Sequence, residues 1–117
     1  MLTNFTIRLG RSFSGHPLYG EIDIVAYNEE MLCFVEVKTR STNFLPPETA
    51  IDRRKRRQLT RVAFRYKQIF ELPFEPFRFD VVAILLTETA VNIRLEKDFF
   101  KPQIKLHYAW QRFGARN

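Results

Sequence analysis

Residues 20–41, GEIDIVAYNEEMLCFVEVKTRS, contain the pattern that decides the fold of this chain. Two runs rich in β-branched residues flank Glu29-Glu30, which predicts an antiparallel hairpin with a two-residue loop. In the register that this loop sets, one face of the hairpin is apolar throughout. Its residues are Ile22, Ile24, Ala26, Cys33, Val35 and Val37. Because a shift of one residue would mix this face with the polar one, the register is strongly preferred.

The other face of the hairpin carries the candidate site. In the same register Asp23 lies directly across from Glu36, and Glu21 across from Lys38, with side-chain origins about 5 Å apart. Two facing carboxylates repel each other unless a cation lies between them. Lys38 is one candidate for that cation, and a hard divalent metal bound through carboxylate oxygens is the other.

Length and composition limit the class of protein. The chain has 117 residues, of which 45% are hydrophobic and 12 are Phe, and this predicts one folded domain spanning residues 1–117. The sequence contains a single cysteine, so no disulfide framework is possible. No run is apolar enough for a signal peptide or a membrane span. The sequence therefore predicts a cytoplasmic protein with no membrane partner.

The positive charge is concentrated in one segment. Residues 51–67 hold eight basic side chains and one acid, whereas the rest of the chain has 11 basic and 12 acidic residues. A concentrated basic stripe is the usual electrostatic footprint of binding to a phosphate backbone, with a solvated helix face as the alternative. The predicted nucleic-acid contacts are Arg40, Arg53, Arg54, Arg56, Arg57, Arg61 and Arg65.

The pattern outside the hairpin predicts the remaining elements. They are a strand at 5–9, a loop at 11–18, a helix at 48–70, and strands at 79–86 and 91–95. The strand at 79–86 is almost continuously apolar, as in a strand that is covered on both faces. Reached through a helical crossover, it should run parallel to residues 31–39. Asp80 is predicted to be structural, and the type of residues 104–113 stays open.

Lys55 and Gln58 are unusual members of the predicted helix. Lys55 falls inside the apolar stripe of the helix and Gln58 lies at its edge. A lysine that faces a core needs an anionic partner or a route to solvent. Since a short loop joins the helix to the strand of Glu36, both residues are predicted to border the carboxylates. Phe64 lies outside the stripe and is predicted to mark a partner or dimer surface.

Four blocks of the sequence closely resemble the YraN family of bacterial proteins, a largely uncharacterised group related to Holliday-junction resolvases. The blocks are GEIDIVA, FVEVKTRS, PPETAIDRRKRRQL and RFDVVAI, and they cover about residues 20–86. Within them, Asp23 and Glu36-Val37-Lys38 resemble the D…(D/E)-x-K signature of restriction-endonuclease-like nucleases. The resemblance implies an α/β fold with that core. Its mixed central sheet would combine an antiparallel hairpin with a βαβ crossover to a buried strand, beside a long basic amphipathic helix.

The resemblance also implies a metal-dependent endonuclease that acts on DNA, which would be branched or damaged. Asp23, Glu36 and Lys38 would be the catalytic residues, with Asp23, Glu36 and the Val37 carbonyl as ligands of Mg²⁺ or Mn²⁺. Lys38 would orient or deprotonate the attacking water, or stabilise the pentavalent phosphorane. Glu21 stays open between the metal site and an ion pair with Lys38. The alternatives are a non-catalytic nucleic-acid-binding module with the same fold, and an interaction protein whose basic face binds an acidic partner.

The sequence departs from the family pattern at its amino terminus. Family members usually begin with a helix bearing a glutamate that related resolvases place near the metal, but only four residues precede FTIRL here. The resemblance therefore implies that this helix is missing, because the start codon is misassigned or because part of the fold's support is absent. Related resolvases work as dimers, so a homodimer is a candidate state. The isolated His16 and His107 lack the spacing of metal ligands.

Overall fold

A mixed five-stranded sheet with one helix packed against it forms the part of the chain that the computed structural model describes, residues 1–41 and 51–103. The elements are β1 (Leu2–Arg11), β2 (Pro17–Asn28), β3 (Met31–Arg40), α1 (Arg53–Ile69), β4 (Phe77–Leu86) and β5 (Val91–Phe100). The strand order is β1-β2-β3-β4-β5, with β3 and β4 parallel and the other neighbouring pairs antiparallel. No helix within these two ranges has the length and apolar character needed to cross a lipid bilayer.

The register predicted for the β2–β3 hairpin is confirmed. Val25 pairs with Phe34 and Asn28 with Met31, which leaves Glu29-Glu30 as the loop. The parallel pairing of β3 with β4 is also confirmed, and it places Phe34 beside Phe79. The predicted mixed α/β architecture is therefore correct in this part of the chain.

The strands extend beyond their predicted ends. The predicted strands at 5–9, 79–86 and 91–95 are Leu2–Arg11, Phe77–Leu86 and Val91–Phe100, and the predicted loop at 11–18 is cut short where β2 begins at Pro17. Backbone pairing continues beyond the residues that alternate between apolar and polar in the sequence. Leu2 pairs with Val25, for example, and Phe79 pairs with Phe100. Pairing with a neighbouring strand, which is a tertiary effect, thus sets these ends. The segment 104–113 lies outside the described residues.

The helix begins at Arg53, so the predicted start at residue 48 is wrong. Ile51 and Asp52 are described and are not helical. Asp52 is the N-cap, and its carboxylate accepts a hydrogen bond of 2.8 Å from the backbone N–H of Lys55. Aspartate is a preferred N-cap because it satisfies an N–H that has no partner within the helix. Residues 42–50, which include the predicted first turn, lie outside the described residues.

The hydrophobic core lies between α1 and one face of the sheet. Its fully buried members include Ile22, Leu32, Phe34, Ile51, Leu59, Val62, Phe79 and Val81. Ile22 and Val25 both belong to this core, although strict alternation would place them on opposite faces. The predicted apolar face is therefore wrong at Ile22, and the alternation is interrupted between residues 22 and 25. Because Phe34 faces the core, the next residues of the same parity, Glu36 and Lys38, lie on the helix side of β3.

Phe64 packs within the protein rather than standing apart. Its ring meets that of Phe77 edge-on, with the centroids 5.6 Å apart. The Nζ of Lys67 lies 4.4 Å from the centroid of the same Phe77 ring. Phe64 is half-buried, and its contact with Phe77 gives it a role within the protein, whereas the predicted partner or dimer surface stays a prediction.

Gly20 allows β2 to approach α1 closely. A Cβ atom at Gly20 would lie 2.5 Å from Cγ2 of Val62 and 3.0 Å from Cδ1 of Leu9. Val62 is fully buried and β-branched, so it cannot easily rotate away. We expect Gly20→Ala to lower the free energy of unfolding by about 1–3 kcal/mol, as overpacking of a core does. Urea denaturation followed by circular dichroism measures this loss.

A double-mutant cycle separates the clash at Gly20 from other effects of the substitution. Val62→Ala alone removes methyl groups from the core and should destabilise the protein. In the Gly20→Ala background the same change also removes the clash, so the double variant should be more stable than the sum of the two losses predicts. Additive losses would show that the two positions are not in contact.

Candidate functional site

Asp23 and Glu36 meet where the β2–β3 ladder ends. The backbone pairing stops at Ile24–Val35, so the predicted pairs Asp23–Glu36 and Glu21–Lys38 do not extend the ladder. Instead, Oδ2 of Asp23 accepts a hydrogen bond of 2.7 Å from the backbone N–H of Val37. The side chain of Asp23 occupies the place that a carbonyl of the opposite strand would take in a regular ladder. This carboxylate is thereby fixed against β3.

Glu36 is a buried carboxylate that two lysines share. It is 5% exposed, and its Oε2 lies 3.3 Å from Nζ of Lys55 and 3.5 Å from Nζ of Lys38. Burial raises the pKa of Glu36, and the neighbouring Asp23 raises it further, whereas Lys55 acts in the opposite direction. The raised pKa means that Lys55 does not fully compensate for the loss of hydration and the repulsion between the acids. The carboxylate pair can therefore accept more positive charge.

The two lysines reach Glu36 from different layers of the fold. Lys38 comes from the same strand as Glu36, and Lys55 comes from the first turn of α1. Their side chains are 23% and 31% exposed, so both ammonium groups contact the buried acid and remain accessible to solvent. An anion that approaches from solvent would thus meet two positive charges before it meets the carboxylates.

The oxygens at this site fit a hard divalent cation. Two carboxylates, Asp23 and Glu36, stand beside Val37, whose carbonyl is a further oxygen donor. Within the described residues, no group of three or more His, Cys, Asp or Glu side chains could hold a metal by itself. Mg²⁺ does not require one, because it commonly binds through one or two carboxylates and retains several waters. The donor set therefore suits Mg²⁺ better than Zn²⁺, which prefers nitrogen and sulfur ligands.

The structure separates Glu21 from these residues. Gly20 approaches α1 and Ile22 lies in the core, so the intervening Glu21 points to the face away from the helix. Glu21 is exposed, and among the described residues the ion pair of Lys38 is with Glu36. Arg40, at the end of β3, donates a hydrogen bond of 3.2 Å to the carbonyl of Thr39.

A basic groove adjoins the carboxylates. It lies between the first half of α1 and the paired ends of β1 and β2, and it has a volume of about 590 Å³. Its lining residues are Leu9, Leu18, Tyr19, Asp52, Arg54, Lys55, Arg57, Gln58 and Arg61. Lys55 belongs to this basic groove and also contacts Glu36. Through Lys55 the groove is joined to the carboxylate site, and Gln58 is one of the residues that line the groove.

The other helix arginines have different surroundings. Arg53 is exposed on the first turn and does not line the basic groove. Arg56 donates a hydrogen bond of 2.9 Å to the carbonyl of Ile51, and its guanidinium lies 5.5 and 5.4 Å from the ring centroids of Phe99 and Phe100. These contacts give Arg56 a structural role, and its predicted contact with nucleic acid stays a prediction.

Arg65 also bonds within the protein. Its Nε donates to the carbonyl of Arg8 and its Nη1 to Oε1 of Gln68, at 3.2 and 2.9 Å. The sequence predicts one basic face for the arginines of α1, but Arg54, Arg57 and Arg61 line the groove, Arg56 and Arg65 bond within the protein, and Arg53 does neither in the described contacts. Sequence reasoning also missed the groove wall formed by Leu9, Leu18 and Tyr19. These residues are distant in the chain and carry no local signal of a site.

Asp80 is structural, as predicted. Its carboxylate is 3% exposed and accepts hydrogen bonds from Nε of Arg78 at 2.9 and 3.1 Å. It also accepts a hydrogen bond of 2.9 Å from the backbone N–H of Asp98. Asp80 therefore joins β4 to β5 and takes no part in the carboxylate site. His16 lies in the β1–β2 connection, where its backbone bonds to Ser12.

Comparison with known proteins identifies relatives of the chain. Residues 4–84 match the uncharacterised protein family UPF0102. A UPF0102 protein of Parabacteroides distasonis is 42% identical over 89 residues, which are 74% of this chain and 73% of the relative. A UPF0102 protein of Solibacter usitatus is 46% identical over 68 residues, which are 57% of this chain and 52% of the relative. The Porphyromonas gingivalis relative is 42% identical over 65% of this chain and 56% of its own length.

The aligned region contains the site. Residues 4–84 include Asp23, Glu36, Lys38 and every residue that lines the basic groove. The chain thus spans between half and three quarters of the length of these relatives. Their shared description is that of an uncharacterised family and names no reaction, so the similarity establishes kinship and leaves the chemistry to be inferred from the site.

Proposed function

Because the chain belongs to the uncharacterised protein family UPF0102, whose description states no activity, we propose a function from the arrangement of its own side chains. We propose that the protein binds DNA and hydrolyses its phosphodiester bonds with the aid of Mg²⁺ or Mn²⁺. One observation carries the proposal. Buried Glu36 lies beside Asp23 and shares a single oxygen with the ammonium groups of Lys38 and Lys55.

Asp23 and Glu36 would hold the metal, with the Val37 carbonyl as a third protein oxygen. When bound, such a cation neutralises charge at the phosphate oxygens and lowers the pKa of a coordinated water. The remaining coordination positions of Mg²⁺ are ordinarily filled by water and by substrate phosphate. The raised pKa of Glu36 supports this assignment, because burial and the neighbouring Asp23 disfavour the ionised carboxylate more than Lys55 favours it, and a bound cation would favour it further.

The two lysines would act on the phosphate and on the attacking water. A lysine ammonium is a compact charge on a flexible stem, so it can exchange one anionic partner for another. Lys38 and Lys55 are partly exposed and can turn from Glu36 towards an incoming phosphate oxygen. Lys38 would orient or deprotonate the water, or stabilise the pentavalent phosphorane. Positive groups placed where negative charge develops are an effective means of stabilising a transition state.

The order of the elements supports a restriction-endonuclease-like core as part of the proposal. An antiparallel hairpin, β2–β3, is followed by α1 and then by β4 parallel to β3. Asp23 lies on the first strand of this unit, and Glu36 and Lys38 lie on the second. This is the arrangement that the D…(D/E)-x-K signature implies.

A DNA-binding module that does not cut is the second candidate. The observation that favours it is that Arg54, Arg57 and Arg61 line the basic groove, whereas Asp23 and Glu36 do not, so the groove could bind DNA without them. Such a module would retain the basic groove and bind DNA with an affinity that falls steeply with salt. Cleavage and metal binding separate the two candidates, since only the nuclease requires them.

Incubation of the purified protein with linear, flapped and four-way DNA tests the proposal. We expect cleavage in Mg²⁺ or Mn²⁺ and none in EDTA. Asp23→Asn and Lys38→Ala should each lower the cleavage rate by about 10²–10³-fold, as the loss of one stabilising group at a transition state does. Both variants should still bind DNA, which fluorescence anisotropy in EDTA measures.

Two results would count against the nuclease. The first is the absence of cleavage on all three DNA forms together with no heat of Mg²⁺ or Mn²⁺ binding in calorimetry. The second is cleavage that persists at full rate in Asp23→Asn, which would indicate a contaminating enzyme. DNA binding without metal binding would establish the non-cutting module. Binding to an acidic protein but not to DNA would establish an interaction protein.

A further inference from the structure

The basic groove has two chemically different walls. The helix wall carries Arg54, Arg57 and Arg61, which are spaced three and four residues apart and therefore have their positive groups on the same side of α1. The opposite wall, from β1 and β2, is formed by Leu9, Leu18 and Tyr19. A ligand that fills the groove must therefore present anionic groups to one wall and a flat or apolar surface to the other.

Tyr19 is the accessible aromatic residue of the sheet wall. It is 57% exposed, whereas Leu9 is buried and Leu18 is half-buried. The β1–β2 ladder changes register between Arg8 and Gly10, beside the pairing partner of Tyr19. Irregularities of this kind redirect side chains from the regular alternation of a strand. The sheet wall thus offers an aromatic ring that has not been used in packing the core.

We infer that the basic groove binds an unpaired stretch of a nucleic-acid strand, with its phosphates towards Arg54, Arg57 and Arg61 and a base against Tyr19 and Leu18. A charged groove combined with an aromatic surface is the means by which proteins hold single strands. A regular duplex could present phosphates to the arginines of the helix wall. Its bases are stacked inside the double helix, however, and cannot contact the sheet wall. The inference rests on the proposed function for its ligand class, but it requires binding only.

The groove also has the right position for such a strand. Lys55 lines the groove and contacts Glu36, so a strand lying in the groove would extend towards the carboxylates. Flapped and four-way DNA contain or readily expose unpaired nucleotides at their branch points. The groove therefore favours, among the DNA substrates considered above, those that have an unpaired stretch near the branch point.

Fluorescence anisotropy in EDTA tests the inference without cleavage. The probes are a labelled 12-nucleotide single strand of mixed sequence and the blunt duplex made from it. Tyr19→Ala should weaken binding of the single strand by about 5- to 150-fold, the range that loss of one base–aromatic contact gives. Binding of the duplex should be unchanged. Tyr19→Phe keeps the ring and should keep the affinity.

Tyr27 provides the matched control. It lies on the same strand as Tyr19 and is 52% exposed, but it does not line the groove. Tyr27→Ala should therefore leave both affinities unchanged. A single strand of abasic sugars should bind wild-type protein and Tyr19→Ala equally, since it has no base to stack. Equal losses for Tyr19→Ala and Tyr27→Ala, or a loss for Tyr19→Ala that persists on the abasic strand, would overturn the inference.

A pair of arginines tests the phosphate wall. Arg57 lines the groove and Arg53, one turn earlier on α1, does not. Arg57→Gln should weaken single-strand binding and reduce the salt dependence by about one phosphate contact, whereas Arg53→Gln should have a smaller effect on both. Displacement of the strand by polyglutamate at equal charge concentration would overturn the inference in favour of an acidic polypeptide.

The binding assay and the cleavage assay fail independently. Single-strand binding through Tyr19 with no cleavage in any metal would retain this inference and reject the nuclease. Metal-dependent cleavage that is lost in Asp23→Asn would support the nuclease. If Tyr19→Ala left that cleavage unaffected on every branched substrate, the inference about the groove would be rejected and the nuclease retained.

Discussion

Replacing Glu36 with glutamine is expected to abolish DNA cleavage while leaving the protein as stable as before or more stable. The isosteric amide removes the charge that would hold a cation, so the cleavage rate should fall by about 10²–10³-fold. The fold, however, disfavours the ionised carboxylate, as the raised pKa of Glu36 shows. Neutral glutamine removes this penalty. The ion pairs that Lys38 and Lys55 lose are partly exposed, and each contributes at most about 1 kcal/mol.

The gain in stability should depend on pH in a defined direction. A carboxyl group with a raised pKa in the folded state lowers stability as the pH rises from its ordinary value, 4.5, to the raised value. Below 4.5 the group is protonated in both states and contributes nothing. The difference in unfolding free energy between Glu36→Gln and wild type should therefore be smallest in acid and become constant above the raised pKa of Glu36. Urea denaturation at a series of pH values measures it.

Added Mg²⁺ supplies the control for this prediction. At about ten times its dissociation constant, Mg²⁺ should stabilise the wild-type protein by about 1.4 kcal/mol, because a ligand that binds only the folded state shifts the equilibrium towards it. Glu36→Gln should show no such shift. A variant that cleaves DNA at the wild-type rate, or that is stabilised equally by Mg²⁺, would remove Glu36 from the list of metal ligands.

Removal of the carboxylate of Asp80 is expected to destabilise the fold more than any change at the candidate site. Asp80→Ala leaves the Arg78 guanidinium without its partner and the Asp98 backbone N–H without an acceptor. Breaking one side of a buried ion pair commonly lowers stability by about 3–5 kcal/mol, since the remaining charge is left without compensation. The hydrogen bond with Asp80 also raises the pKa of Arg78, so this arginine stays charged. Thermal and urea unfolding should both show the loss.

Asp98→Asn is the matched control for Asp80→Ala. The side chain of Asp98 is exposed and pairs with Lys101, while its backbone N–H is the group that bonds to Asp80. Asparagine tolerates the left-handed φ of 51° at this position. Its substitution should change stability by less than about 0.5 kcal/mol. A loss for Asp80→Ala no larger than that of the control would show that the buried pair does not hold β4 against β5.

The sequence predicts this fold most accurately where local chemistry decides the structure. The alternating pattern around Glu29-Glu30 was sufficient for the hairpin register, because a shift of one residue would mix the apolar face of the hairpin with the polar one. The apolar run at 79–86 was sufficient for the parallel strand. The ends of β1 and β5 were not predictable, since backbone pairing with a distant strand extends them. The helix start could have been predicted from Asp52, which has the chemistry of an N-cap.

Some residues of the candidate site could likewise be predicted from the sequence, and others could not. Lys55 was predictable because a lysine on an apolar stripe requires an anion, and the structure places it 3.3 Å from Glu36. The position of Glu21 was not predictable, because the alternation of β2 side chains between the two faces of the sheet is interrupted between residues 22 and 25. Nor could the sequence distinguish Arg56 from Arg57. That difference depends on Phe99 and Phe100, which reach the helix only in the folded protein.

The hydrogen bond between Asp23 and the Val37 amide has a consequence for how this protein can diverge. The part-buried N–H of Val37 needs an acceptor whether or not the protein performs any chemistry. A relative that lost its activity would therefore remain under pressure to keep an oxygen at position 23, and asparagine would satisfy the amide where alanine would not. Glu36 makes no comparable bond to the backbone among the hydrogen bonds of the described residues. In relatives that lose the function, the residue at position 36 should therefore change before the residue at position 23.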